Sequence, residues 1–170
     1  MLTPRFLVVI GMILVAAGSR LIPHPPNFTP IAAIALFGGA YFSYRRLSFL
    51  IPFAAMLLSD LIIGLHRGML VVYGSFALVV CIGFWLRKRK SVARIARGAL
   101  ASSILFFVTT NFSVWAMGSM YPKNIGGIVA CYIAAIPFFQ NALLGDSFYT
   151  AVLFGIFALV ERRFPALNEV

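Results

Sequence analysis

Apolar side chains fill this chain in six blocks, with only short polar interruptions between them. Blocks at 6–22, 31–44, 47–65, 69–86 and 98–117 are followed by a longer one at 128–160. A membrane-crossing helix needs about 20 mostly apolar residues, fewer where the bilayer is thin. The pattern therefore predicts an all-α fold: an integral membrane six-helix bundle, one transmembrane domain over residues 1–170. The last block is too long for one straight span and is interrupted by Pro137 and by Gln140-Asn141. It predicts a kinked helix, a helix preceded by a re-entrant or surface-lying segment, or two helices.

Composition agrees with the pattern. Hydrophobic residues make up 62% of the chain and charged residues 11%, against about 45–50% and about 25% in soluble domains. A net charge of +10 would suggest nucleic acid in a soluble protein. Here the positive residues sit between apolar blocks, where they set topology, and no nucleic-acid partner is expected. With six spans and the N-terminus inside, the inner segments hold Arg5, Arg45 and Arg46, the "RKRKSVARIAR" run over 87–97, and Arg162 and Arg163. Only Arg20, Arg67 and Lys123 fall outside. Seven spans would put Arg162 and Arg163 outside and weaken that bias. The expected location is a bacterial inner membrane, multi-pass, with both termini cytoplasmic and the basic run touching anionic lipid. Phe6 to Ala17 followed by small residues imitates a signal peptide, but the apolar run continues to Ile22 and predicts an uncleaved first helix.

This topology gathers the unusual residues on one side. Polar side chains in hydrocarbon are costly unless they pair or line a cavity, which makes them functional candidates. Asp60 and Asp146 are the only carboxylates at membrane depth. Either contacts a substrate, cation or proton, or serves in a structural ion pair, for Asp60 with Arg20 or Arg67. His24 and His66 both face outward, without metal-ligand spacing, and are expected to touch substrate or steady a loop. The pairs Asn27-Phe28 and Asn111-Phe112 set an amide beside a ring, an arrangement that suits a flat heterocycle. Tyr73 and Trp115 join them, as part of the site or as an interfacial aromatic belt. Asn141 follows the break at Pro137. The connection "RLIPHPPNFTP" carries Pro23, Pro25, Pro26 and Pro30, and such stiffening suits a low-entropy lid holding Arg20, His24, Asn27 and Phe28 over a pocket. Ala35 and Gly39 form a small-xxx-small pair, either a docking face for a partner protein or internal packing.

No P-loop, GxSxG or HExxH motif is present, so neither ATP hydrolysis nor another enzymatic activity is expected, and no cofactor or metal is assigned. Cys81 and Cys131 lie in apolar runs, away from any CxxC or Cys/His cluster.

Four segments, "PPNFTPIAAIALFGGAYF", "LLSDLIIGLHRG", "VTTNFSVWAMGSMYP" and "CYIAAIPFFQNALLGDSFYTAVLFG", together resemble a family of uncharacterised bacterial transport proteins. More loosely the pattern is similar to the S components of energy-coupling factor vitamin transporters, six-helix proteins with a proline-bearing sequence before the last helix. The resemblance implies an outward-facing pocket beneath the first, third and fifth connections, binding a vitamin, cofactor precursor or similar small molecule for uptake. It also implies an energy-coupling transmembrane protein with two ATPases as partner. The A-x-x-x-A pattern through which S components dock is absent from the first block. A non-transporting scaffold of the cell envelope and a small membrane enzyme are the alternative functions.

Overall fold

A computed structural model describes residues 3–65, 68–164 and 167. Among these residues the chain is helical throughout, with α1 Pro4–Gly18, α2 Ile31–Tyr41, α3 Arg45–Ile63, α4 Met69–Leu86, α5 Val92–Met117 and α6 Ile125–Arg163. All but α2 are long and apolar enough to cross a membrane. His66 and Arg67 lie outside the described residues.

The five long helices form a ring in the order α1, α3, α4, α5, α6, and each of them touches α2 at the centre. Every α2 residue from Ala32 to Tyr41 is buried. Its closest approach is to α4, where a Cβ placed on Gly39 would lie 2.3 Å from the Val80 carbonyl oxygen and 2.9 Å from Gly83 Cα. The Ala35/Gly39 face is thus internal packing, and a partner cannot reach it. Phe37 and Tyr41 meet Phe154 and Phe157 of α6, completing an aromatic core on the other side.

Helix ends depart from the apolar blocks for local reasons. α1 begins earlier, with Pro4 in its first turn and the Thr3 hydroxyl accepting from Phe6 N–H. It ends in a tight turn at Ser19–Leu21, so it stops short of residue 22 as an α-helix. α2 stops at Tyr41, not 44. Beyond it the Arg87 guanidinium takes the Gly39 and Ser43 carbonyls at 2.8 and 3.3 Å and the Ser48 hydroxyl at 2.8 Å, tying α2 to the start of α3. Burial, then the neighbouring Arg45, lowers the pKa of Arg87. α3 ends before Gly64, whose φ of +118° is open to glycine. α5 starts at Val92 rather than 98, because the Ala- and Arg-rich stretch between continues the helix readily.

α6 is one element of 39 residues, so no separate re-entrant segment precedes it and it is not two helices. Pro137 lies inside it, forgoing one backbone hydrogen bond. Its course relative to α5 is oblique. Tyr132 reaches the Val108 carbonyl and Asp146 reaches Ser103. Between those contacts α6 rises about 21 Å and α5 only about 8 Å.

The first and last of the described residues lie at one end of the ring. Arg5 pairs with Glu161 at 3.2 Å and donates to the Leu167 carbonyl. Arg87 and Lys90 are at that end too, beside Tyr41 and α2's last turn. Asp60, Tyr73 and the proline-rich connection occupy the opposite end.

Candidate functional site

The ring helices have 15 to 39 residues and α2 has 11. At about 1.5 Å per residue, α2 fills only part of the ring's depth. Above its first turn a cavity of about 410 Å³ remains, with Ile31 and Ala32 as its floor and the proline-rich connection over it. Ligand pockets commonly fall in the range of about 300–1,000 Å³.

The wall toward α1 is polar. Arg20 pairs with Asp60 at 2.7 Å and also donates to the Ser59 hydroxyl. Tyr73 donates to the other Asp60 oxygen at 2.9 Å. Asp60 is only 1% exposed, so it holds the guanidinium in place rather than meeting a solute. Arg20 itself lines the cavity, and its buried Nε–H has no hydrogen-bond partner. A buried donor in that state is rare in a folded protein.

The opposite wall is acceptor-rich. Asp146, 7% exposed, takes a 2.6 Å hydrogen bond from Ser103, and among the described residues no cation pairs with it. Thr110 donates its hydroxyl to the Phe106 carbonyl, and Asn111 spends one of its two amide N–H donors on the Phe107 carbonyl of its own helix. Their oxygens remain as acceptors. Phe106, Phe107, Phe138 and Phe139 supply aromatic faces between these poles.

The connection over the cavity is built by its prolines. Phe28 N–H bonds to the Pro25 carbonyl at 3.0 Å, Pro26 follows, and Asn27 has φ +64°. This is the arrangement of a type II turn, with proline second and asparagine third. Asn27 and Thr29 reach the cavity, while Pro30 opens α2. The connection rests on α6 at Gly145, where an added Cβ would lie 3.0 Å from Phe28 Cα and 3.1 Å from Thr29 N. Gly145→Val should therefore lift it. We expect amide exchange at residues 27–29 to quicken about tenfold, equivalent to roughly 1.4 kcal/mol, with α6 itself unchanged. Unaltered exchange in that segment would mean the connection is not seated by Gly145.

Of the residues expected in the site, Arg20, Asn27, Asn111 and Asp146 line the cavity, and Asp60 and Tyr73 stand behind Arg20. The others lie elsewhere. His24 is exposed, with Nδ1 2.6 Å from the Ile22 carbonyl in its own loop. Phe28 packs on Phe148 and Tyr149, and Phe112 is half-exposed, so neither Asn-Phe pair acts as an amide-and-ring unit. Trp115 donates to the Pro122 carbonyl in the α5–α6 connection. Asn141 is half-buried and does not reach the cavity. His66 falls outside the described residues. Ser103, Thr110 and the four phenylalanines were not singled out from the sequence. Their one signal is position, within a turn or two of Asn111 and Asp146 on α5 and α6. Among the described residues no three His, Cys, Asp or Glu side chains come together as metal ligands.

Comparison with curated proteins and with solved structures finds no match to this chain. A family model described as a family of unknown function, DUF6580, matches residues 1–167. The chain belongs to the DUF6580 family.

Proposed function

We propose that this chain is a membrane-embedded uptake protein of S-component type, binding a vitamin, cofactor precursor or similar small molecule in the cavity above α2. Membrane embedding is supported by the exterior. Leu57, Leu58, Leu61 and Ile62 of α3 and Leu144 and Leu159 of α6 are all exposed, a surface suited to hydrocarbon and costly in water. The basic end, which holds Arg5 and Leu167, is the cytoplasmic end of a bacterial inner membrane by the positive-inside rule. The cavity then opens outward. An energy-coupling transmembrane protein with its ATPases is the partner this reading calls for.

The observation that carries the proposal is Asp146: a buried carboxylate that pairs with no cation among the described residues and lines the same cavity as Arg20. Ionisable side chains buried in this way mark substrate pathways in membrane proteins. The solute that fits is a compact molecule with a protonated or donor-bearing nitrogen for Asp146, a flat ring for the phenylalanines and an acceptor for Arg20. Cation–π attraction from the rings adds to the first contact.

Mass spectrometry of protein purified in mild detergent tests this. Wild type should retain a nitrogenous metabolite. Asp146→Asn keeps the Ser103 hydrogen bond but loses the ionisable carboxyl, and should retain at least about tenfold less, a difference of about 1.4 kcal/mol, with its melting temperature unchanged. Asn111→Ala should lose a smaller share. An empty wild type, or equal retention by Asp146→Asn, would overturn the reading.

A further inference from the structure

A second cavity, of about 630 Å³, opens between α5 and α6 at the basic end and shares no lining residue with the first. Its floor is a furrow of small side chains, Ala96 of α5 and Ala151 and Gly155 of α6. Lys90 and Arg162 stand at its mouth. Deeper in it lies Thr150, 4% exposed, whose hydroxyl has no hydrogen-bond partner. A buried hydroxyl in that condition calls for a polar atom from outside the chain.

We propose that this furrow holds one anionic phospholipid, with its phosphate on Lys90, its headgroup toward Arg162, an ester carbonyl on the Thr150 hydroxyl and an acyl chain along the small residues. This rests on the membrane reading above, but not on the solute cavity.

The spacing fits that occupant. Lys90 Nζ lies 5.0 Å from the Tyr41 ring centroid, and that ring packs on Phe154 and Phe157. Thr150 is one turn deeper than Phe154, about 6 Å along the helix. In a phospholipid the ester carbonyls hang several ångströms below the phosphate. From Thr150 the furrow continues to Leu143, a further ~10 Å. That depth lies within one leaflet, half of the ~30 Å hydrocarbon core.

Charge fits as well. Burial, and next the neighbouring Arg5, lower the pKa of Lys90, so an anion at its side would relieve a strained ammonium. Glu161, which pairs with Arg5 at 3.2 Å, offsets only part of this. A free phosphate would have no use for the apolar furrow. A protein helix would meet two cations at one end and a channel floored by alanine and glycine.

Native mass spectrometry of delipidated protein, offered equal dioleoyl phosphatidylglycerol and phosphatidylcholine, gives the test. Wild type should carry one phosphatidylglycerol, preferred about tenfold. Lys90→Gln should abolish the preference and Lys90→Arg restore it. A Cβ at Gly155 meets nothing within 4 Å, so Gly155→Leu should fill the furrow and lose the bound lipid while melting normally without it. Equal binding of the two lipids by wild type, or phosphatidylglycerol retained by Gly155→Leu, would overturn the proposal. Failure of the membrane reading shows separately, as a chain left in the supernatant when membranes are pelleted before detergent is added. Metabolite retention in the same preparations reports on the other cavity.

Discussion

Gly39→Ala is expected to lower the melting temperature in detergent by about 10 °C. The new Cβ would lie 2.3 Å from the Val80 carbonyl oxygen and 2.9 Å from Gly83 Cα. Both are backbone atoms of α4, so no side chain can swing aside. α2 and α4 must separate, and α2 is packed on every other side by the ring. Overpacking of this kind costs about 3 kcal/mol, which corresponds to roughly 10 °C for a chain of this size. Gly11→Ala is the control. Its Cβ meets nothing within 4 Å, and alanine improves helix propensity by up to about 1 kcal/mol, so that variant should melt at or slightly above wild type. If Gly39→Ala melts with wild type, the α2–α4 contact is looser than described.

Asp60→Leu should cost about 3–5 kcal/mol, the usual result of removing one partner from a buried ion pair. The Arg20 guanidinium would keep its Ser59 contact but lose its counter-charge, and the Tyr73 hydroxyl would lose its acceptor. The double variant Arg20→Met, Asp60→Leu should melt above Asp60→Leu alone, because replacing a whole buried pair with apolar groups is often close to neutral. A thermal-melt double-mutant cycle should give a coupling of about 2 kcal/mol or more. Additive effects would show that the two charges do not support each other. Metabolite loss in an Asp60 variant thus says nothing of direct contact, which is why Asp146 is the informative carboxylate.

Element positions were largely legible, because a long apolar block bounded by charge has few folded outcomes. α4 begins and ends where its block does, and the gathering of basic residues at one end follows from their spacing. The Asp60–Arg20 pair was among the alternatives that scarcity of charge allows. What could not be read is which face of each helix turns inward. In a soluble protein hydropathy marks that face, since the outside is polar. Here Leu58 and Leu61 face outward while Val79 and Val80 face the core, and their hydrophobicity is alike. The phenylalanine wall was invisible for that reason. So was the contact of Gly39 with α4, which depends on the absence of a side chain. Asn141 and His24 stood out only because they are polar, and polarity does not say which way a residue points. Gly145 carried no signal at all until the turn at Asn27 was seen lying across it.

The enclosed position of α2 has a consequence for how the protein is made. At 11 residues, about 16 Å, it is too short to sit across a bilayer by itself, and the helix against which its glycine packs emerges from the ribosome after it. On the membrane reading, α1 to α3 leave the ribosome as an unfinished ring with α2 uncovered. Insertion cannot then proceed helix by helix to a stable state. The early segments must be held, by the insertion machinery or by each other, until α4 arrives. On the same reading, a nascent chain halted before α4 leaves Gly39 without its partner, and one halted after it already contains the glycine contact on which the rest can close.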